Sequence, residues 1–193
     1  MRKKSHILLG RYLADQMSEV YSLQQHRKAF CLGNIMPDLR PSFLTTRHEF
    51  FGTFSQLQEK MRELIERNPE EDNARVYWRR FGEVMHYMAD YFTFPHNRTY
   101  KGSLAEHNSY EAELKNCLKE CILSGNADSQ LEEAKHFDSF EELVGYIRER
   151  HACYLESPRC IADDIRFILR VCYQVIQGIF QLCLRRQFHM EGR

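Results

Sequence analysis

Two pairs of potential metal ligands lie close together in the chain and limit how it can fold. Residues 81–111 contain three histidines, and two of these precede a carboxylate by four positions: His86 with Asp90, and His107 with Glu111. Side chains four residues apart project from one face of a helix, a single turn apart. If both segments are helical, each pair can therefore act as a unit.

A third histidine lies between the pairs. His96 follows Pro95, which is expected to interrupt the helix and to present the imidazole from a loop. Imidazole and carboxylate groups suit zinc, and two ligands on one rigid helix lower the entropic cost of assembling a site. Either pair alone is more typical of a core histidine and a solvated carboxylate. Two pairs that flank a third histidine favour a metal site.

Three further candidate ligands come earlier in the chain. His6 falls in the first turn of a predicted helix and is uninformative by itself. Asp38 lies between Pro37 and Pro41 in a segment predicted to be rigid and non-helical, although Pro-Asp is also common in turns. His48 lies ten residues after Asp38, at the start of the next predicted helix.

The spacing of apolar residues predicts an all-α protein. Seven helices are expected, with Ser5 capping the first, Asp138 or Ser139 capping the sixth, and Phe51 in the apolar stripe of the third. No segment alternates with period two over several residues, and no repeat is present. We predict one domain over residues 1–193, a multi-helix bundle. The expected helices lie at about residues 5–21, 24–33, 48–67, 73–92, 104–123, 138–156 and 159–187.

The bulk properties give no sign of a nucleic-acid partner or of export. Lys plus Arg equals Asp plus Glu at 27 each, so no net charge favours an anionic polymer or membrane. Arg11 and Asp15 cut the first apolar run too early for a signal peptide, and no stretch is expected to span a membrane. Seven cysteines, an odd number, are interpreted as reduced packing residues, which predicts a cytoplasmic protein.

The combination of these motifs resembles the zinc-dependent phospholipase C family. The matching pieces are the PD of GNIMPDLR, the block from His86 to His96, and EHNSYE, which occur in the family's order within roughly residues 1–115. The resemblance implies an all-α fold, shared with the single-strand-specific zinc nucleases, and two or three zinc ions in one cleft. It also implies a phosphate-ester substrate, either a phospholipid or another phosphodiester.

The resemblance further implies how the ligands are shared. The first ion would take Asp38, His48, His86 and Asp90. The second would take His96, His107 and Glu111. Asp90 would bridge to a third ion that also takes His6. Asp38 would serve in addition as the catalytic general base.

The chain departs from the family's pattern at three places. Exported members begin with a tryptophan whose terminal amine and carbonyl complete the third site, whereas this chain has Met1, and its single tryptophan is Trp78. The third site is therefore expected to be weak, differently completed or empty. Choline-preferring members carry aromatic residues where this chain has Leu39 and Thr45, so no preference for phosphatidylcholine is expected. No lipid-binding β-sandwich like that of toxin-like members is expected within these 193 residues, which argues against attack on membranes from outside.

These observations predict a zinc-dependent hydrolase that cleaves a phosphodiester with a metal-activated water, most simply as a phospholipase C. One alternative is a nuclease or nucleotidase, which would need aromatic platforms for bases. The candidate platforms are Tyr87, Tyr91, Phe92, Phe94 and Tyr100, although such residues are more often core. A second alternative is a metal-binding helical protein without catalytic turnover.

Overall fold

The structure, a computed structural model, describes residues 1–40, 48–67, 73–158 and 160–191, with side chains up to residue 187. Pro41 and Thr45 lie outside the described residues. The described residues form nine α-helices and no strand, which confirms the predicted all-α class. The helices are α1 (Lys3–Gln16), α2 (Tyr21–Gln25), α3 (Arg27–Gly33), α4 (Phe50–Glu66), α5 (Ala74–Tyr91), α6 (Leu104–Leu123), α7 (Asn126–Gln130), α8 (Phe140–Glu156) and α9 (Ile161–Glu191).

Helix α5 lies at the centre of the fold, in contact with α1, α3, α4 and α9. The Asn73 side chain accepts a hydrogen bond from the Val76 N–H and caps its first turn. Apolar residues then recur every three or four positions, as the sequence predicted, and several are fully buried. They include Phe81, Val84, Met85 and Met88. Since His86 and Asp90 lie on this helix, the packed core fixes their positions.

Helices α3 and α5 cross with their main chains in direct contact. A Cβ atom on Gly33 would lie 1.9 Å from the carbonyl oxygen of Arg79, and one on Gly82 would lie 2.1 Å from that of Phe30. A side chain at either glycine therefore cannot be accommodated without separating the helices. This close crossing holds the segment after α3, which includes Asn34, against the face of α5 that carries His86.

Some predicted helix boundaries are wrong. Arg2 rather than Ser5 holds the cap position of α1, and the Ser5 hydroxyl is buried without a hydrogen-bond partner among the described residues. The predicted helix at 24–33 is divided between the end of α2 and α3, since the main chain leaves helical geometry at His26, where the ring contacts the Ser22 carbonyl at 3.0 Å. The five-residue α7 was not predicted. The Ser139 cap is confirmed, since its hydroxyl accepts from the Glu142 N–H.

The last helix provides much of the core. The stretch Ile161–Gln187 in α9 is long and apolar enough to span a membrane by length and composition, which the sequence analysis did not recognise. Within this stretch, 61% of the most apolar window is buried inside the protein. Helix α9 contacts α1, α4, α5, α6 and α8, and burial among these helices accounts for its composition.

Candidate metal centre

All eight predicted ligands come together on one side of α5. His6 extends from α1, and His86 and Asp90 from α5, while His107 and Glu111 extend from the start of α6. The remaining three lie outside α-helices. Asp38 is in a 3-10 turn over Pro37–Leu39, His96 is in a 3-10 turn over Phe94–His96, and His48 lies two residues before α4. The predicted helix at about 48–67 is confirmed but begins two residues later, so His48 lies just before it, and the expected loop position of His96 is confirmed.

Three donor atoms at the centre of this cluster are almost equidistant. His48 Nδ1 lies 3.0 Å from His86 Nε2, and both nitrogens lie close to Asp90 Oδ2, at 3.1 and 3.2 Å respectively. In a tetrahedral zinc site, ligand bonds of about 2.1 Å place neighbouring donors about 3.4 Å apart. The observed triangle is therefore close to the size that a zinc ion requires, and all three side chains are buried.

A second group of three donors lies where α6 meets the 3-10 turn of His96. Glu111 Oε1 lies 3.1 Å from His96 Nε2 and 3.2 Å from His107 Nε2. His107 and Glu111 are one helical turn apart, as the sequence predicted. Burial would raise the pKa of Glu111, but the hydrogen bond with His96 and the nearby amino group of Met1 reverse this effect and lower it. The carboxylate is thus held in the ionised form that metal ligation needs.

His6 is buried beside the central triangle without a hydrogen-bond partner. Its ring stacks on His86 with centroids 3.9 Å apart, and its Nε2 lies 3.2 Å from Asp90 Oδ1. Neither ring nitrogen makes a hydrogen bond among the described residues. Burial and the neighbouring His86 lower the pKa of His6 to about 3, so the ring is neutral. A buried neutral imidazole with unused nitrogens fits a metal ligand, because an unpaired polar group inside a protein is otherwise costly.

Main-chain geometry fixes the orientation of His86. Its Nδ1 lies 2.8 Å from the Asn34 carbonyl oxygen, which only accepts hydrogen bonds. Nδ1 therefore carries the proton, and in the neutral ring the lone pair is on Nε2, which points at His48 and Asp90. Such an outer hydrogen bond is typical of a metal-binding histidine. The role of Asn34 is not predictable from the sequence, because every residue type has the same main-chain carbonyl group.

The amino group of Met1 also lies in the cluster. It lies 2.6 Å from Asp90 Oδ1, 3.2 Å from Glu111 Oε1 and 3.0 Å from His96 Nε2. Burial alone would raise the pKa of Asp90, but His96, this amino group and His86 together hold it well below its usual value. Asp90 is thus an ionised, fully buried carboxylate surrounded by cationic and imidazole groups.

Asp164, which is distant in sequence from the proposed ligands, holds the turn of His96 in place. Asp164 on α9 accepts hydrogen bonds from the Phe94 N–H at 2.9 Å, the Tyr110 hydroxyl at 2.9 Å and the Tyr154 hydroxyl at 2.7 Å. It thereby fastens the 3-10 turn of His96 to three helices. The role of Asp164 is not predictable from the sequence, since its three partners come together only in the folded protein.

The turn of Asp38 is fastened in a similar way. Arg40, two residues later, donates to Glu83 on α5 at 2.7 Å, and Lys60 on α4 lies 3.4 Å from the same carboxylate. Asp38 Oδ1 then lies 3.6 Å from His86 Nε2 and 3.9 Å from His48 Nδ1. The carboxylate is thus at the edge of the central triangle rather than within it.

A cleft of about 980 Å³ opens onto the cluster, and its walls include Asp38, His48, His96, His107 and Glu111. Of the predicted aromatic platforms, Tyr100 lines this cleft, whereas Tyr91 and Phe92 are fully buried.

The prediction that Phe51 belongs to the apolar stripe of its helix is wrong. Phe51 lies one position away from the buried face of α4, about 100° around the helix. Its side chain is 63% exposed, and the Arg98 guanidinium packs over its ring at 5.2 Å.

Fold and site together define an all-α protein with buried groups of histidine and carboxylate, next to a cleft, that could hold metal ions. The sequence model of the family described as zinc dependent phospholipase C matches residues 5–161, and the chain belongs to this family. No curated protein and no solved structure matches the chain.

Proposed function

We propose that this protein is a zinc-dependent phosphoesterase that hydrolyses a phosphodiester in the manner of a phospholipase C. The observation that carries the proposal is the triangle of His48, His86 and Asp90 donor atoms, 3.0–3.2 Å apart, at the end of a substrate-sized cleft. Family membership supports the reaction class. The proposed ligands of two or three zinc ions are His6, Asp38, His48, His86, Asp90, His96, His107 and Glu111.

The donor set fits zinc. Imidazole nitrogens and carboxylate oxygens are its usual protein ligands, and the nitrogens of the buried His6 ring make no hydrogen bond among the described residues. Zinc, when bound, polarises the phosphoryl group and lowers the pKa of a water molecule to about 7. The carboxylates of Asp90 and Glu111 offset the positive charge that such a cluster would otherwise bury.

Asp38 and Asp90 have different roles in this proposal. Asp90 is completely buried, so it can hold ions but cannot meet the substrate. Asp38 lines the cleft and lies within 4 Å of both central histidines. We assign Asp38 the role of accepting the proton from the attacking water, because it is the carboxylate that both the cleft and the central triangle share.

Substitution of Asp90 tests the proposal directly. The purified protein should contain two or three zinc ions by elemental analysis. Asp90→Asn should lose both stoichiometric zinc and hydrolysis of phospholipid substrates. The matched control is Asp15→Asn, at a side chain that is 60% exposed and pairs with Arg27 rather than with a proposed ligand. Absence of stoichiometric zinc from the wild-type protein under zinc-replete conditions would overturn the proposal.

Substitution of Asp38 separates the two roles. Asp38→Asn should retain most of the zinc, because the central triangle stays intact, while kcat falls by about 10²- to 10⁴-fold. An Asp38→Asn variant with normal kcat would refute the general-base assignment but leave the zinc proposal standing.

The alternatives are weaker on this geometry. A single-stranded nucleic acid needs stacking platforms, and Tyr100 is the aromatic residue that lines the cleft in the described part of the chain. Parallel assays on a phospholipid and on single-stranded DNA separate the two substrates. A purely structural zinc protein would have closed four-ligand sites. The eight proposed side chains are fewer than three such sites require and could just close two, but several of them line the cleft.

A further inference from the structure

The walls of the cleft carry more positive charge than a single phosphodiester would need. In the described part of the chain, five cationic side chains line it: Arg2, Lys3, Lys4, Arg98 and Lys115. Three carboxylates line it as well: Asp38, Glu49 and Glu111. Asp38 and Glu111 belong to the proposed zinc cluster, so only Glu49 is left to balance the cations. The chain as a whole has equal numbers of acidic and basic residues, which makes this local excess a property of the cleft.

Two of the cations have partners. Arg98 lies 3.5 Å from Glu49 and packs over Phe51, so this pair is neutral as a unit. Arg2 donates to the main-chain carbonyl of Asn108 at 2.9 Å, which ties the start of α1 to α6. Both side chains therefore have a structural explanation.

The three lysines have none. Among the described residues, Lys3, Lys4 and Lys115 form no ion pair and no side-chain hydrogen bond, although all three line the cleft. Lys115 lies one helical turn after Glu111, and Lys3 lies one turn before His6, so these ammonium groups stand near the proposed zinc ligands. Lys3 and Lys4 are exposed and Lys115 is partly exposed, which leaves them accessible to a substrate.

A cationic head group has no partner here. Recognition of a quaternary ammonium uses aromatic faces or free carboxylates. Tyr100 is the aromatic residue among the lining side chains, and its ring already packs edge-on against Phe94 and His107. Glu49, the remaining carboxylate, is occupied by Arg98. The lysines would repel an ammonium group and attract an anion.

We propose that the cleft selects phosphodiesters whose head group carries a second negative charge, and that Lys3, Lys4 and Lys115 bind that charge. The inference rests on the proposed phosphodiesterase function and names its substrate class. The second charge is a phosphate monoester or a group of similar charge, carried by a lipid or by a soluble diester. Each exposed lysine is expected to change the relative rate by about two- to fivefold, because solvent and salt screen such contacts.

Two substrates that differ only in this charge provide the test. Short-chain phosphatidylinositol and phosphatidylinositol 4-phosphate, both below their micelle concentrations, share the scissile bond and exclude effects of a lipid surface. The wild-type kcat/KM should be about tenfold or more higher for the phosphorylated substrate. Short-chain phosphatidylcholine should be the poorest of the three substrates. A comparison of kcat/KM for soluble glycerophosphoinositol 4-phosphate and for dibutanoyl phosphatidylinositol 4-phosphate distinguishes a soluble from a lipid source.

Lysine variants assign the effect. Lys115→Gln and the double variant Lys3→Gln/Lys4→Gln should each lower the ratio of the two kcat/KM values, and the triple variant should bring it close to one. Lys119→Gln is the matched control, at an exposed lysine one turn beyond Lys115 that does not line the cleft. Equal rates for both phosphatidylinositols in the wild type, or a ratio unchanged in the triple variant, would overturn the inference.

A binding measurement separates this inference from the proposed function. Inositol 1,4-bisphosphate is titrated calorimetrically into zinc-loaded wild-type protein and into the triple variant. If no phosphodiester is hydrolysed, the proposed function fails. Bisphosphate binding that the triple variant weakens still supports the anion site, whereas absent or unchanged binding refutes it.

Discussion

Replacement of Gly82 by alanine would place a methyl group between α3 and α5. The new Cβ would lie 2.1 Å from the Phe30 carbonyl oxygen and 2.9 Å from the Asn34 nitrogen. Both atoms belong to the main chain of the opposing segment, so no side-chain rotation can relieve the contact. The two helices would have to move apart by more than 1 Å, because ordinary van der Waals contact begins at about 3.4 Å.

The cost can be worked out from these distances. Overpacking of a core typically costs about 1–3 kcal/mol, and a rigid main-chain obstacle places this site at the upper end. Alanine returns up to about 1 kcal/mol through its higher helix propensity. A net loss of about 2 kcal/mol in the free energy of unfolding is therefore expected. His86 lies one turn beyond Gly82, so its 2.8 Å contact with the Asn34 carbonyl should lengthen, with about a tenfold loss of zinc affinity.

Denaturant unfolding and chelator competition for zinc measure both effects. Gly145→Ala is the matched control, since Gly145 lies inside α8 and a Cβ there would meet nothing within 4 Å. That variant should be neutral or more stable by up to about 1 kcal/mol, with unchanged zinc affinity. If Gly82→Ala were as stable as Gly145→Ala, the close crossing of α3 and α5 would not constrain the fold, and the reasoning would be refuted.

Three further substitutions probe the supports of the site. Burial raises the pKa of Asp164 to about 6, although its hydrogen bonds oppose the shift, so the folded protein holds that proton more tightly than the unfolded chain does. The contribution of this carboxyl group to stability therefore falls as the pH rises through its folded-state pKa. Relative to Asp164→Asn, the wild type should lose about 2 kcal/mol between about pH 4.5 and about pH 7.5 by denaturant unfolding. Glu83→Gln should cost about 1 kcal/mol, because its partners Arg40 and Lys60 are partly exposed, and should lower kcat more than zinc content. Ser103→Ala should cost about 1 kcal/mol and lower the Tm by about 2–4 °C, because it removes the capping box of α6.

Each of these predictions has a contrary result. A constant difference between wild type and Asp164→Asn across the pH range would mean that the carboxyl titrates alike in both states. Normal kcat in Glu83→Gln would show that Asp38 is placed without the Arg40 contact. An unchanged Tm in Ser103→Ala would show that packing alone defines the start of α6.

The parts of the site that sequence predicts are those with a local signature. His86 with Asp90 and His107 with Glu111 are recognisable because the helical repeat places residues four apart on one face. Asp38 and His96 are recognisable because prolines mark their turns. The Asp164 contacts are different, since they join residues 54 and 70 positions apart and depend on how α9 packs. The amino group of Met1 is a main-chain group, so its position in the site cannot be recognised from the type of any residue.

The fold follows the same division. The apolar period along α5 and α9 defines helices, which is why the all-α class is predictable. Their mutual arrangement depends on contacts such as Gly33 against Arg79, where a missing side chain rather than a present one sets the distance. A side chain that contacts the main chain of its own helix is also not recognisable from the apolar pattern. At His26, a contact between the ring and the Ser22 carbonyl accompanies the break between α2 and α3.

The contact between His86 and the Asn34 carbonyl has a consequence for how this protein tolerates mutation. Every amino acid at position 34 supplies the same carbonyl oxygen, so a scan that exchanges one side chain at a time leaves the acceptor in place. Residues outside the proposed zinc site, namely the glycines where α3 and α5 touch, are therefore expected to be the ones whose replacement disturbs this contact. The orientation of this proposed ligand is thus set through the backbone, at glycines that carry no functional group.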